Sequence, residues 1–354
     1  MKHQLKGLPL SELNDYFISI GEPKFRAKQI FGWMYNQMVD SFDEMVNVPK
    51  SLRSKLEEKC DLYSLKLKLK ETSKQSETSK YLFSTRDNKS IETVLIPAGE
   101  GRATLCISTQ VGCPLSCEFC ATGKLGFDRN LTSGEIVDQY VMVAKDYGIE
   151  NVTNIVYMGM GEPLINFDET VKSLKIITSE FNKSISRTRI TVSTSGLPHK
   201  IKELADTGLR VKLALSLHSP FEDVRSKIMP INKRYSLNEV IEAIKYYART
   251  TKTRITFEYT MFDGINDRDE DVKELVKICS KLPAKINLIP FNSIKHMNPT
   301  GFAAELEPSP RIKIENFADK LRNRDITVLV RETQGEDIAA ACGQLAAKDK
   351  NGEK

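Results

Sequence analysis

Apolar and polar positions follow one period over the first sixty residues, a shorter one over the next forty, and an alternation of both thereafter. Up to about residue 60 the apolar residues recur at helical spacing. Ser11 is placed to cap a helix over Glu12–Ile20, which Gly21 and Pro23 stop. Lys24–Val39 sets Ile30, Phe31 and Met34 on one face, and Pro49 occupies the first turn of a third helix carrying Leu52 and Leu56. Between 61 and 100 the period drops toward two. Leu65, Leu67 and Leu69 alternate with Lys66, Lys68 and Lys70, and Tyr81–Phe83 and Ile91–Ile96 are rich in β formers. Asp87-Asn88-Lys89 makes a turn and Ser73–Ser79 a polar loop.

From about residue 101 the pattern becomes strand, loop, helix, repeated. Strands are predicted at Ala103–Ser108, Asn154–Met158, Arg189–Ser193, Lys212–Leu217, Arg254–Met261, Lys285–Pro290 and Ile326–Val330. Helices over Thr132–Tyr147, Leu237–Thr250 and Arg268–Leu282 fall between them. Such alternation implies parallel strands with helices outside. The fold class is therefore α/β: a partial β/α barrel of about six parallel strands rather than a two-half Rossmann sheet. The expected organisation is an N-terminal helical domain (1–60) that could dock RNA, a small β connector (61–100), the barrel (101–345) and a polar tail (346–354). Glycine and polar residues gather just after the strands, at Gly159–Pro163, Ser193–Gly196, Ser216–His218 and Asn292. That is the face on which β/α barrels build their sites.

Composition narrows this further. The chain is 40% hydrophobic over 354 residues, enough for a large core, which excludes collagen-like and disordered readings. No run of about 18 apolar residues offers a membrane span, and Met1-Lys-His-Gln-Leu-Lys6 lacks the apolar stretch of a secretory signal. A cytoplasmic, monomeric protein with no membrane partner is expected. The net charge is +5, and the first 80 residues hold 14 Lys and Arg against 11 Asp and Glu. That balance is compatible with nucleic acid, and equally with an ordinary solvated helical surface.

Cysteine changes the picture most. Seven, an odd number, argue for metal binding or catalysis over a disulfide framework. Cys113-Pro-Leu-Ser-Cys117-Glu-Phe-Cys120 is a C-x3-C-x2-C run, close enough for three thiolates to serve one centre. A closed zinc site wants a fourth ligand, and only Cys106, seven residues upstream on the first strand, is near. Three thiolates on a [4Fe–4S] cubane instead leave one iron open. Met158-Gly-Met-Gly-Glu-Pro163 follows the second strand. Its glycines permit close backbone approach, and Glu162 can accept from an amine or hydroxyl. The hydroxyls of Ser193 and Ser216 and the imidazole of His218 follow the third and fourth strands.

These residues resemble the RlmN/Cfr family of radical S-adenosylmethionine (SAM) RNA methyltransferases. The motifs are Arg102-Ala-Thr-Leu-Cys106, Gln110-Val-Gly-Cys113, Gly126-Phe-Asp-Arg-Asn-Leu131, Met158–Pro163, Ser193–Gly196, Ser216–His218, Pro230-Ile-Asn232, Ile286–Pro290 and Ala341-Cys-Gly-Gln-Leu345, in the family's order over about 250 residues. The resemblance implies a [4Fe–4S] cluster on Cys113, Cys117 and Cys120, and SAM contacts at Gly161, Glu162, Ser193, Ser216, Leu217, His218 and Asn292. It implies that Cys342 is methylated by one SAM and that a second SAM is cleaved reductively. The methyl group then passes to C2 of adenosine in 23S rRNA and tRNA. Cys106 is implied to resolve the RNA adduct by a disulfide with Cys342, Glu92 to accept the C2 proton, and a reducing electron-transfer protein to serve as partner. Cys60 and Cys279 match no family motif and are read as structural. Ala339 departs from the family, which carries an acidic residue three positions before the methylated cysteine. The rivals are a Cfr-like C8 methyltransferase, which shares the cysteines, and a non-catalytic RNA-binding protein with a structural zinc loop.

Overall fold

The computed structural model describes residues 2–180 and 185–347. Residues 348–354 of the expected tail lie outside them. The chain opens with β1 (His3–Gln4), α1 (Leu10–Ser19), α2 (Phe25–Gly32), α3 (Lys50–Lys59) and β2 (Cys60–Asp61). The first helix starts ahead of Ser11, behind Pro9, because a proline tolerates the first turn without a capping side chain. The second stops at Gly32 and relaxes into a π turn over Trp33–Gln37, which Met38 ends in the left-handed region. This front end is fastened to the rest by a fully buried ion pair, Lys6 Nζ to Asp138 at 3.3 Å. Asp138 also accepts the backbone N–H of Ser64 and Leu65.

Next come β3 (Leu65–Thr72), β4 (Ser79–Thr85), β5 (Ser90–Pro97) and β6 (Ala103–Cys106). The short β7 (Gln110–Gly112), α4 (Ala121–Lys124) and β8 (Phe127–Asn130) follow. The repeating part is α5 (Ser133–Tyr147), β9 (Val152–Tyr157), α6 (Phe167–Ile177), β10 (Ile190–Thr194), α7 (Pro198–Asp206), β11 (Lys212–Ser216), α8 (Glu222–Ile228) and α9 (Leu237–Thr251). It continues through β12 (Ile255–Met261), α10 (Asp269–Cys279), β13 (Ala284–Pro290), α11 (Arg311–Arg322) and β14 (Val328–Val330). Helix starts here are chemically marked. Thr132 with Glu135, and Ser236 with Glu239, form reciprocal capping boxes. Pro198 begins α7.

One ten-stranded sheet runs in the order β14-β13-β12-β11-β10-β9-β6-β5-β4-β3. Its seven strands from β14 to β6 are all parallel, and β5, β4 and β3 continue it antiparallel. The β-rich segment after residue 61 thus shares the barrel's own sheet instead of standing as a separate layer. β12 is covered on both faces, and all seven of its residues are buried. The sheet does not close: β14 and β3 are its edges. The gap between them is spanned by an irregular arm, residues 331–347, with one 3-10 turn at Glu336–Ile338.

Candidate active site

The three cysteines of the C-x3-C-x2-C run sit on the loop between β7 and α4 and line one cavity. Burial and mutual proximity push their thiols upward, Cys113 to about 12 and Cys117 well above its ordinary value. Backbone N–H groups of Leu115, and of Thr122 and Gly123, are directed at the sulfurs of Cys113 and Cys120. A thiol trio that repels itself when ionised is stable as thiolate only around a cationic centre. Among the described residues no three Cys, His, Asp or Glu groups close on a single-ion site. The loop offers three thiols to one cavity, a donor set that suits a multi-iron centre bound at three corners; a closed tetrahedral zinc site wants four ligands. The residues present fit the cluster.

The opposite wall is made by the ends of β9, β10, β11 and β12. Gly161, Glu162, Ser193, Ser216 and His218 line the same cavity as the thiols. Gly161 has φ +98°, and a Cβ there would lie 2.5 Å from Gln110 Cβ, so only glycine fits. Glu162 is buried; it accepts Ser195 N–H at 2.8 Å and Leu164 N–H at 3.1 Å, and burial raises its pKa. Nδ1 of His218 accepts the N–H of Thr260 at 2.9 Å, so a neutral ring presents Nε2–H. Burial and the charge of Arg225 hold its pKa down at about 3. Phe119 of the cysteine loop packs edge-on against that imidazole, ring centres 4.6 Å apart. Leu217, expected to touch SAM, does not line the cavity. It is fully buried, its N–H bonded to Glu258 and its carbonyl to Arg225.

Two cavities meet at Cys342. It lines the one that holds the three thiols and also a second one lined by Cys106, Val94, Ile96, Asn292 and Arg331. Cys342 is exposed, while Cys106 on β6 is buried and its thiol is pushed up to about 12. Each is placed by backbone it does not share: Cys106 pairs with Val94 and Val156, and the Cys342 carbonyl accepts Asn292 Nδ2 at 3.1 Å. Asn292 therefore belongs to the Cys106 side and holds the arm. The arm is tied further by Ala121 N–H to the Gly343 carbonyl (2.7 Å) and by Thr122 Oγ1–H to the Leu345 carbonyl (2.8 Å).

Glu92 departs from expectation. It lines neither cavity, and both its oxygens are engaged. One faces Lys80 Nζ at 3.1 Å; the other accepts the N–H groups of Ala346 and Ala347 at 2.9 and 3.0 Å. At 1% exposure it is a buried anchor for the arm in this conformation. At the family's acidic position, Ala339 adopts φ +50°, and Asp337 instead accepts Lys74 N–H at 3.1 Å, tying the arm to the β3–β4 turn. Cys60 is buried with its sulfur 3.1 Å from Tyr16 Oη, and Cys279 is buried in α10. The motif reading did not single out Glu258, Thr260 or Arg331 as site residues, and all three line the first cavity. The position of Arg331 in Val330-Arg-Glu-Thr-Gln-Gly335, leading into the Cys342 segment, was the available signal.

Known proteins resemble this chain over nearly its whole length. Residues 107–276 match the model of the radical SAM superfamily, and residues 3–62 match that of the ribosomal RNA large subunit methyltransferase N-terminal domain. A Thermotoga neapolitana protein named as a probable dual-specificity RNA methyltransferase RlmN is 44% identical over 98% of both chains. A Bacillus subtilis protein of the same name is 43% identical over 97% of this chain and 93% of its own. The crystal structure of a radical SAM methyltransferase from Sphaerobacter thermophilus superposes with a TM-score of 0.91 at 41% identity, over 98% of this chain and all of that one. Radical SAM proteins use a [4Fe–4S] cluster and SAM, and the thiol trio facing a polar wall is where this chain would hold them. The chain belongs to the RlmN family of radical SAM RNA methyltransferases.

Proposed function

We propose that this enzyme methylates C2 of adenosine in 23S rRNA and tRNA by way of Cys342, with two SAM consumed per turnover. The observation that carries this is the place of Cys342, exposed at the junction of two cavities, with the three ligand thiols on one side and Cys106 on the other. Adenine C2 is an electron-poor carbon and no nucleophile, so direct transfer from a sulfonium does not reach it. Bound on Cys113, Cys117 and Cys120, the cluster with SAM supplies the reductively generated radical chemistry such a carbon requires. Glu162, Ser193, Ser216 and the Nε2–H of His218 orient the cofactor's polar groups.

In this scheme the thiolate of Cys342 takes a methyl group from one SAM and later carries the one-carbon unit to the base. The unit then bonds sulfur to RNA, and Cys106 attacks that sulfur as a thiolate; the sulfur–carbon bond breaks with its electron pair on the carbon, which takes up a proton to become the methyl group of the released RNA, and a Cys106–Cys342 disulfide is left. Their shared cavity supports the pairing. Glu92 can take the C2 proton only in a conformation in which Ala346 and Ala347 have let go of it. The choice of C2 and of both RNAs rests on the likeness to RlmN proteins. The electrons come from an external reducing protein.

The test uses the full chain, reconstituted anaerobically, with 23S rRNA fragments and tRNA, and reads nucleosides by mass spectrometry. The expected product is 2-methyladenosine; 8-methyladenosine would overturn the position. Cys106→Ala should accumulate protein crosslinked to RNA. Free methylated RNA at the normal rate from that variant would remove Cys106 from the scheme.

A further inference from the structure

Arg225, on α8, is completely buried and is the largest of the fully buried side chains. Among the described residues no carboxylate lies within ion-pair distance of it. Its guanidinium is satisfied by oxygens of neutral groups: the carbonyls of Ser195 (2.6 Å), Ser216 (3.1 Å) and Leu217 (3.2 Å), and Oδ1 of Asn232. Burying a cation without a counter-charge is costly, so its place calls for a reason.

Two features of the surroundings supply one. First, the three carbonyls come from the end of β11 and the residues just after β10 and β11, next to Ser193, Ser216 and His218, which face the cavity. The Ser195 residue is held on both sides, its N–H by Glu162 and its carbonyl by Arg225. Asn232, from the Pro230-Ile-Asn232 motif that the site itself does not use, aims the guanidinium. It donates to the Glu222 carbonyl (3.2 Å) and to Ser226 Oγ (2.8 Å) while accepting from Arg225. Second, α8 abuts the cysteine loop. Glu118 N–H donates to the Ile228 carbonyl at 3.0 Å, and Cys117 packs with Ile228 and Met229. Arg225 lies one turn before Ile228 on this helix, and its carbonyl accepts the Met229 N–H at 2.7 Å.

We propose that Arg225 is a positioning residue with two effects. It fixes the SAM-facing loops through their carbonyls, and it sets a permanent buried cation beside the Cys117 corner of the cluster, raising the cluster's reduction potential. Each added electron makes the cluster more negative, so a nearby fixed cation stabilises the reduced form. The inference rests on the assignment of Cys117 and the polar wall given above.

The experiment compares cluster-loaded wild type with Arg225→Gln, Arg225→Lys and Asn232→Ala. The midpoint potential is read by redox titration monitored by electron paramagnetic resonance, and SAM affinity by equilibrium binding. Arg225→Gln should have a more negative potential and bind SAM about tenfold more weakly or worse. Arg225→Lys keeps the charge but cannot span three carbonyls, so its potential should stay near wild type while SAM affinity falls; Asn232→Ala should do the same. Wild-type SAM affinity in both Arg225→Lys and Asn232→Ala overturns the positioning role, even where Arg225→Gln does not fold. A potential in Arg225→Lys as negative as in Arg225→Gln overturns the charge effect. A wild type that takes up neither iron nor SAM would sink the cluster assignment itself, a different failure.

Discussion

The wall that faces the cysteine loop and the arm that carries Cys342 are built in opposite ways. The wall is the ends of buried parallel strands, each polar group held by a neighbour: Glu162 by backbone N–H groups, His218 by Thr260, the loop carbonyls by Arg225. The arm has almost no regular structure. It is held by separate ties to Asn292, to Ala121 and Thr122, to Glu92, and to the β3–β4 turn, where Gly335 N–H meets Ser76 Oγ at 3.0 Å. A cradle for a reactive cofactor gains from rigidity. Under the proposed scheme Cys342 meets cofactor, substrate and a second thiol in turn, and a residue with that task gains from attachments that can be released one at a time.

The sharpest test sets one cysteine of each region against the other. Cys117→Ala and Cys342→Ala should both abolish RNA methylation. Only the first should lose iron, while the second keeps its iron–sulfur absorbance. Loss of iron from both would mean that the arm is part of the cradle.

The next test releases the arm. Glu92→Ala removes the acceptor for Ala346 and Ala347 and leaves Lys80 with only Glu71, at 3.5 Å. Breaking such a buried ionic network costs about 3 kcal/mol. Hydrogen exchange over residues 340–347 should accelerate more than in the wall, and methylation should fall. Unchanged exchange there would show that other ties hold the arm.

Within the wall, His218 is held neutral with a pKa of about 3, below its ordinary 6.5. Between those values the unfolded chain binds a proton that the folded chain refuses. Stability should therefore fall as pH drops below 6.5, by about 1.4 kcal/mol per unit from this group. His218→Gln can accept from Thr260 and donate in the ring's place, and it should flatten that decline between pH 6.5 and 5 in denaturant titrations. An unaltered slope would assign the acid sensitivity elsewhere. The smallest effect belongs to the arm again. Ala339 sits at φ +50°, so Ala339→Gly should stabilise the protein by at most about 1 kcal/mol, seen as a slightly higher Tm.

Several features were legible because their causes are local. The strand–loop–helix alternation found the parallel strands, and helical periodicity over Thr132–Tyr147 and Leu237–Thr250 found α5 and α9. Other expectations met details that the pattern of the sequence does not carry. Glu92 is the expected proton acceptor, and here the C-terminal segment folds back onto its carboxylate. Leu217 sits between two cavity-lining residues, yet its side chain turns into the core. Ser11 was a plausible cap, and Pro9 pre-empted it.

By itself, then, the amino-acid order determined the clustering of three cysteines and the strand–helix rhythm. Cys113, Cys117 and Cys120 are neighbours in any loop of that length, and burial on two faces imposes its own composition. Tertiary structure alone decided that Cys342 lines both the cavity of the three clustered thiols and that of Cys106, and that a buried arginine ties the ends of β10 and β11 to the helix beside Cys117. Such meetings depend on where an open sheet leaves its gap and which loops converge there, and no short stretch of chain carries that information.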